Sequence, residues 1–237
     1  MNVCIVGYGA IGPTHAEALS EIEMVSIYGI CDIDKESADK GAATYGCKAF
    51  YDFDECLKDD KIDSIHICTP HYLHFEMIEK SLLAGKKVVV EKPITMKKEE
   101  FDTLLSKYAG EPVCPVFQNR TNSCVQTLKE IIDSDSGLGK FEAARGILTW
   151  HRGADYYGQA PWRGTKAYEG GGVLINQAIH TLDLMIYLGG NIKSVNAIMS
   201  NKSLQGVNPY LLSSLILRYC LEQLHRPIRS VQGYRQN

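Results

Sequence analysis

Short apolar runs alternate with amphipathic segments through the first half of the chain. Four of these runs are nearly continuous in apolar residues and are typical of buried parallel strands: NVCIVG, VSIYGICD, SIHICTP and KVVVEKP. The segments that follow them have the spacing of apolar residues expected of helices, and several end in glycine, as helices often do. This alternation predicts an α/β fold with a doubly wound parallel sheet.

The second half of the chain has a different organisation. EPVCPVFQNR predicts a last strand that leaves the parallel sheet, and SCVQTLKEIID predicts a helix. Further strands are predicted in FEAARGILTWH and SVNAIMS, with an aromatic loop and a second helix between them. We therefore predict a first domain over residues 1–118 and a second, α+β domain over residues 119–237.

Composition narrows the class of protein. The chain has 237 residues, 45% of them hydrophobic, and a net charge of −3, which disfavours nucleic acid or a membrane as the partner. Its N-terminus has no basic region before the first apolar run, so no targeting segment is predicted. The eight cysteines form no CxxC pair, and four lie in strand-like runs: Cys4, Cys31, Cys68 and Cys114. These features predict reduced core thiols, no metal site and a cytoplasmic location.

The motif GYGAIG lies between the first predicted strand and the first predicted helix. In that position a GxGxxG motif allows a tight turn and a close approach of the backbone to a pyrophosphate at a helix N-terminus. The residues expected to contact the dinucleotide are Gly7, Tyr8, Gly9, Ile11 and Gly12.

Asp32 ends the second predicted strand, twenty residues after Gly12. At that position a carboxylate accepts hydrogen bonds from the ribose hydroxyls and repels a 2′-phosphate. This favours NAD as the cofactor. NADP stays possible because one basic residue, Lys35, is close in sequence.

Two further motifs, CTPHYLH and VEKPI, end predicted strands. Ligands of open parallel sheets bind outside the carboxyl ends of strands. The residues expected at that edge, all assigned to cofactor binding, are Thr69, Pro70, His74, Glu91 and Lys92. Lys92 is also a candidate catalytic residue, although its position alone is equally consistent with a solvated surface lysine.

A polar pair lies on the second-domain helix in GGGVLINQAIHTLDL. Asn176 and His180 are four residues apart and share one face of a helix. Without other information the pair is either a catalytic group or a polar stripe on a buried helix. Asp183 is three residues past His180 and either orients its ring or forms a solvated pair.

In order and spacing, GYGAIGPTHAEAL, CTPHYLH, VVVEKPI, VFQNR and EGGGVLINQAIHTLDL resemble the Gfo/Idh/MocA (glucose-fructose oxidoreductase, inositol dehydrogenase, rhizopine catabolism) oxidoreductases. The resemblance runs from Met1 to about residue 200. It implies an N-terminal Rossmann domain and a C-terminal α/β domain whose open sheet joins subunits into a homo-oligomer, a dimer or tetramer. It also implies hydride transfer between NAD(P) and a secondary alcohol or ketone of a sugar, inositol or related polyol.

The resemblance implies roles for individual residues. Lys92 would lie near the reacting oxygen of the substrate, and His180 would be the general acid/base. Asn176 stands where many members have aspartate, so it would orient substrate or histidine without accepting the proton. His74 matches a position close to the cofactor, and His71 replaces the asparagine that is more common after Thr-Pro.

The aromatic loop from Arg152 to Gly172 would cover the active site. Trp162 and Arg163 would contact cofactor or substrate, with Arg163 assigned to the cofactor and Tyr168 to the substrate. The alternative is an interface loop whose aromatic side chains pack against a partner.

Two other functions are compatible with these motifs. Some relatives cleave glycosides by transiently oxidising a sugar carbon, without net build-up of NADH. A non-catalytic NAD-binding remnant or sensor is the second alternative, favoured by Asn176 and the short C-terminal region.

Residues 201–237 depart from the family pattern. They lack the alternating strands of a completed second-domain sheet, which predicts a truncated or frame-shifted product with an incomplete sheet. The alternative is a terminal helix over roughly residues 211–224.

Overall fold

The chain divides into two units, each of which contains one sheet. The computed structural model describes residues 1–134, 139, 141–149, 154–165, 167–170, 173–200 and 211–219. The first unit comprises Met1–Val116 and Ala160–Gly170, and the second comprises Phe117–Gln159 and Gly171–Asn237.

Six strands of the first unit form one parallel sheet. They are β1 (Asn2–Val6), β2 (Ser26–Cys31), β3 (Lys48–Phe50), β4 (Ser64–Ile67), β5 (Lys87–Val90) and β6 (Val113–Pro115). Their order is β3-β2-β1-β4-β5-β6, with Ile5 opposite Ile30 on one side and His66 on the other. This is the strand order of a dinucleotide-binding α/β sheet, with its topological switch point between β1 and β4. The predicted α/β fold class is confirmed.

Five helices connect these strands. They are α1 (Gly12–Ser20), α2 (Lys35–Tyr45), α3 (Phe53–Lys58), α4 (His74–Leu83) and α5 (Lys98–Lys107). β3 and α3 are absent from the predicted elements because each is too short to show a clear period.

The core of the first unit occupies both faces of the sheet. Along β1, Val3 and Ile5 pack with Ala16 of α1 on one face, whereas Cys4 and Val6 belong to the apolar cluster on the other. Burial on both faces explains why the central strands read as continuous apolar runs.

The predicted core position of the four strand cysteines is confirmed for three of them. Cys4, Cys31 and Cys68 are buried, and the seven cysteines within the described residues are free thiols. Cys114 is exposed, contrary to the prediction, because its strand β6 is at the edge of the sheet.

The second unit combines helices with an antiparallel ladder. Its described elements are α6 (Ser123–Asp133), α7 (Ala154–Gly158), α8 (Val173–Asn176), α9 (Ala178–Gly189), β7 (Ile192–Ser200) and β8 (Leu211–Tyr219). α6 approaches α9 through Lys129, whose ammonium is 5.6 Å from the centre of the Tyr187 ring. β7 pairs with β8, with Val195 opposite Leu217 and Ala197 opposite Leu215.

β8 corrects the interpretation of the tail. Residues 211–219 form a strand, so neither a tail without strands nor a terminal helix describes them. Pairing with β7 decides this conformation, since tertiary context overrides the helix propensity of a leucine-rich run. Residues 220–224 of the alternative helix lie outside the described residues.

The strand predicted in FEAARGILTWH is also wrong over its described part. Residues 141–149 form no strand. A side chain on Gly146 would meet Thr181 Cγ2 at 2.6 Å and Met185 Sδ at 2.8 Å. This segment therefore lies close against α9, a contact that an alternating apolar pattern does not distinguish from strand pairing.

A buried lysine, Lys86, binds backbone carbonyls of the loop that precedes β4. Lys86 is 7% exposed, and its Nζ donates hydrogen bonds to the carbonyl oxygens of Asp59 at 2.9 Å and Ile62 at 2.8 Å. A buried ammonium is tolerated here because backbone carbonyls replace its water.

We expect Lys86→Met to lower the free energy of unfolding by about 1–3 kcal/mol, because two carbonyls lose their donor. Lys87→Met is the matched control, since Lys87 is exposed and undergoes the same chemical change. Urea unfolding of both variants tests this, and equal stability of the two would contradict the assigned role of Lys86.

Candidate dinucleotide and active site

Gly7 allows the chain to turn sharply after β1. Its φ is +91°, and a Cβ there would lie 2.8 Å from the carbonyl carbon and oxygen of Cys68. Its own N–H donates to the carbonyl of Cys31 at 2.8 Å. Only glycine fits this position, because both the conformation and the space exclude a side chain.

The other two glycines of the motif have different surroundings. A Cβ on Gly12 would meet the Gly7 carbonyl oxygen at 2.4 Å, so this glycine lets α1 start directly against the turn. A Cβ on Gly9 would have no atom within 4 Å. The backbone at Gly9 is therefore open to a ligand that must approach it closely.

The start of α1 is suited to an anion. Its N-cap residue, Ile11, makes no side-chain capping hydrogen bond, and the first turn contains no acidic residue. Helix N-termini of this kind direct N–H groups and the positive end of the helix dipole towards a phosphate.

Asp32 is held in place at the end of β2. Its Oδ2 accepts the N–H of Tyr8 at 2.6 Å, and its Oδ1 accepts the N–H of Asp34 at 2.9 Å. The carboxylate is thus fixed beside the glycine turn, as ribose recognition requires. Lys35 directs its ammonium over the Tyr51 ring, 5.2 Å from the ring centre. The open cradle at Gly9, the start of α1 and the fixed carboxylate together fit NAD.

His74 connects the loops that follow β4 and β5. Its Nδ1 lies 2.7 Å from the Pro93 carbonyl oxygen, and its Nε2 lies 2.9 Å from that of Thr69. The ring is fully buried. Burial lowers the pKa of His74 and outweighs the two carbonyls, which favour the protonated ring. Direct contact of His74 with the cofactor stays a prediction, and both ring nitrogens face backbone carbonyl oxygens.

Glu91 and Lys92 follow β5 directly. Glu91 Oε1 lies 3.1 Å from His15 Nε2, and Oε2 accepts the backbone N–H of Lys92 at 3.2 Å. Burial acts to raise the pKa of Glu91, but the hydrogen bond from His15 and the charges of His15 and Lys92 outweigh it and hold that pKa below its ordinary value. Glu91 is therefore an ionised carboxylate at neutral pH.

The segment Ala160–Gly170 packs within the first unit against the 3-10 turn that follows β4. The Trp162 ring centre is 5.1 Å from that of His71, and the Tyr168 ring centre is 5.1 Å from that of Tyr72. His71 Nδ1 is 3.5 Å from the Glu169 carbonyl oxygen. These contacts give His71 a role that the sequence analysis did not assign.

A hydrogen bond within the segment Ala160–Gly170 joins Gly164 to Glu169. The Glu169 side chain is 1% exposed and accepts the Gly164 N–H at 2.6 Å. The Arg163 guanidinium lies 5.6 Å from the Trp162 ring centre.

Asn176 and His180 belong to the second unit. Asn176 ends α8, Gln177 interrupts the helix, and His180 is in the first turn of α9. Asn176 Nδ2 donates to the Tyr156 hydroxyl at 3.2 Å. His180 packs edge to face with Phe117, with 6.0 Å between ring centres.

Asp183 forms an ion pair with Arg120. Arg120 Nε donates to Asp183 Oδ2 at 2.8 Å, and a second guanidinium nitrogen reaches Oδ1, so the pairing is bidentate. Asp183 is 8% exposed, and this hydrogen bonding raises the pKa of Arg120. Asp183 therefore neither orients the His180 ring nor belongs to a solvated pair. Both of its carboxylate oxygens bond Arg120, and its side chain is buried.

Family models match both units. Residues 1–118 match the oxidoreductase family model with an NAD-binding Rossmann fold, and residues 125–219 match the model of the Gfo/Idh/MocA C-terminal domain. The chain belongs to the Gfo/Idh/MocA oxidoreductase family. The second match extends to residue 219, whereas the sequence motifs placed the end of the family resemblance at about residue 200.

Similar members of the Gfo/Idh/MocA family include named dehydrogenases. Levoglucosan dehydrogenase of Pseudarthrobacter phenanthrenivorans is 28% identical over 213 residues, which cover 84% of this chain and 54% of that enzyme. Myo-inositol 2-dehydrogenase of Thermotoga maritima is 24% identical over 246 residues, covering 100% of this chain and 71% of that enzyme.

A solved structure has the same fold. The WlbA dehydrogenase from Bordetella pertussis, in complex with NADH and UDP-GlcNAcA, has a TM-score of 0.79 and 27% identity, covering 92% of this chain and 68% of that one. The present Gfo/Idh/MocA chain spans about half the length of the first curated relatives it matches.

Neither a membrane-spanning helix nor a metal-binding cluster occurs among the described residues. Among them, no helix is long and apolar enough to cross a membrane. Within the same residues, no group of three or more histidine, cysteine or carboxylate side chains is arranged to hold a metal ion.

The glycines of the Gfo/Idh/MocA cradle provide a matched pair of variants. Gly9→Ala is expected to keep its stability within about 0.5 kcal/mol because its Cβ meets no atom within 4 Å. Its NAD dissociation constant should rise at least about tenfold, because the methyl group occupies the space of the ligand. Gly12→Ala should instead cost about 1–3 kcal/mol of stability, because backbone atoms must move.

Thermal unfolding and NAD titration by calorimetry distinguish the two effects. Unchanged NAD binding by the stable Gly9→Ala protein would show that the cradle does not hold the dinucleotide.

Stability should fall in acid because buried histidines resist protonation, and the clearest cases are His66 and His71. Burial, then the charge of His15, lowers the pKa of His66 to about 4. Burial, followed by the charges of His74 and Lys92, lowers the pKa of His71 to about 4. Below the ordinary histidine pKa of 6.5 the unfolded chain takes up protons that the folded chain does not.

Each histidine should therefore contribute a loss of about 3 kcal/mol as the pH falls from 6.5 to 4. His71→Asn removes one of the two groups and should reduce the slope of unfolding free energy against pH. Urea unfolding across this range measures the slope, and an unchanged slope in His71→Asn would refute the argument.

Proposed function

We propose that this chain is an NAD-dependent dehydrogenase that acts on a secondary hydroxyl of a sugar, cyclitol or related polyol, or reduces the corresponding ketone. The observation that carries the proposal is the open glycine cradle after β1, with Asp32 fixed beside it and Lys92 just after β5 of the same sheet. Similarity to a levoglucosan dehydrogenase and a myo-inositol 2-dehydrogenase supports the substrate class.

NAD is preferred over NADP on electrostatic grounds. The Asp32 carboxylate is fixed by two backbone N–H groups, so it cannot turn away from a 2′-phosphate. The nearby Lys35 ammonium lies over the Tyr51 ring instead of pairing with Asp32. We expect NAD to bind at least about tenfold more tightly than NADP, which corresponds to 1.4 kcal/mol.

His180 and Lys92 have different tasks in the proposed reaction. Bound NAD supplies the hydride acceptor. His180 takes the proton of the substrate hydroxyl, a step that suits an imidazole near neutral pH. The Lys92 ammonium stabilises the negative charge that develops on the substrate oxygen. Asn176 orients substrate by hydrogen bonds, and Tyr168 contributes a partly exposed aromatic face to polyol binding.

The first experiment is titration of the purified protein with NAD and NADP, followed by a panel of sugars and polyols monitored for NADH. Turnover of one polyol with NAD supports the proposal. Binding of NAD with no turnover indicates a cofactor-binding sensor, and glycoside cleavage without net NADH indicates redox-assisted hydrolysis. Failure to bind either dinucleotide contradicts the proposal. The homo-oligomer and the cytoplasmic location stay predictions from the sequence.

Substitutions separate the roles of Lys92 and His180. His180→Ala should lower kcat by about 10²- to 10⁴-fold, because the proton loses its acceptor. Lys92→Met should lower kcat by about 10²- to 10³-fold, because the developing charge loses its stabilisation. Lys98→Met is the matched control, as Lys98 is an exposed lysine on α5 paired with Asp102.

Steady-state kinetics gives kcat for all three variants, and calorimetry gives their NAD dissociation constants. Turnover of His180→Ala near the level of the unsubstituted protein would remove His180 as the base.

A further inference from the structure

We propose that His15 is a positioning residue that joins the dinucleotide-binding helix α1 to the Glu91-Lys92 segment, through its hydrogen bond with the Glu91 carboxylate. The inference rests on the proposed function. It gives a task to a histidine that the sequence analysis did not assign to the cofactor or the substrate.

The position of His15 makes this connection direct. His15 is in the first turn of α1, and its N–H donates to the Ile11 carbonyl at 3.2 Å. Its Nε2 lies 3.1 Å from Glu91 Oε1, with side-chain exposures of 11% for His15 and 14% for Glu91. One nearly buried contact therefore connects the helix that faces the cofactor phosphates with the segment that carries Lys92.

The other ring nitrogen is fixed by β4. His15 Nδ1 lies 3.2 Å from His66 Nδ1, and the two rings meet edge to face with 5.5 Å between their centres. Burial keeps His66 neutral at ordinary pH. A neutral imidazole has one protonated and one unprotonated nitrogen, so one ring donates to the other across this contact. His15 is thus restrained at both nitrogens, and its rotation is prevented.

Glu91 passes this restraint to Lys92. The Glu91 N–H donates to the Ile67 carbonyl at 3.0 Å, which extends the pairing of β5 with β4. Its side chain folds back so that Oε2 faces the Lys92 N–H at 3.2 Å. The sheet thus holds Glu91 from one side and His15 from the other, and this fixes the backbone from which Lys92 projects.

Loss of the histidine leaves a buried carboxylate without its partner. A carboxylate in that state either moves towards water or takes up a proton. Either response breaks the contact that fixes Glu91 between the sheet and α1 and changes the conformation of the residue before Lys92. We therefore expect NAD affinity and turnover to fall together.

The test uses His15→Leu, His15→Gln and, as control, Glu17→Gln, which alters an exposed side chain of the same helix. The glutamine amide keeps a donor for Glu91 at the distance of Nε2. His15→Leu should raise the NAD dissociation constant and lower kcat by about 10- to 100-fold each, with a smaller change in substrate KM. His15→Gln should recover most of both losses, and Glu17→Gln should behave as the unsubstituted protein.

The outcomes separate this inference from the proposed function. If the unsubstituted protein does not bind NAD, both are rejected. If it binds NAD and folded His15→Leu binds it equally well, with only a lower melting temperature, His15 has a structural role and this inference alone is rejected. If His15→Leu does not fold, His15→Gln decides: NAD affinity close to the unsubstituted value supports the role of the donor, and a large loss overturns it.

Discussion

The close contact between Gly7 and the peptide that follows β4 is the constraint on which the cofactor site depends. A Cβ on Gly7 would lie 2.8 Å from the carbonyl carbon and oxygen of Cys68, so only glycine lets the turn after β1 approach this peptide so closely. This proximity brings the ends of the two central strands together at the switch point of the sheet. It also places the start of α1 and the carboxylate of Asp32 around one turn, because Asp32 accepts the Tyr8 N–H from within it.

Charge is distributed unevenly around that turn. The first turn of α1 carries no acid, while Asp32 and Glu91 are both held by specific donors. Each carboxylate near the proposed phosphate position is thus neutralised or fixed by hydrogen bonds. Two histidines contact the segments that follow β4 and β5: His74 of α4 bonds the carbonyl oxygens of Thr69 and Pro93, and His15 of α1 bonds the carboxylate of Glu91.

The sequence predicted the parallel sheet and the glycine turn because both depend on local patterns. Continuous apolar runs identify strands buried on two faces, and glycine spacing identifies a turn. The pairing of His15 with Glu91 was not predictable, because these residues are 76 positions apart and neither has a pattern that names its partner. The same holds for His71, whose contact on Glu169 is 98 positions away.

Asp183 and β8 show two further limits of sequence reasoning. Helical spacing placed Asp183 near His180, but its partner is Arg120, 63 positions away. The leucine-rich run at 211–219 favoured a helix, and pairing with β7 made it a strand. Local preference was outweighed in both cases by a contact that forms only after the chain has folded.

The division of the chain into units has a consequence for anyone who works with fragments. Ala160–Gly170 belongs to the first unit, although the residues on both sides of it belong to the second. The polypeptide therefore passes from one unit to the other three times, and no single cut separates them. A fragment ending near residue 118 keeps the whole parallel sheet but lacks Trp162 and Tyr168, leaving His71 and Tyr72 without their aromatic neighbours. Dinucleotide binding by such a fragment would report on the parallel sheet and its loops without the aromatic side chains of Ala160–Gly170.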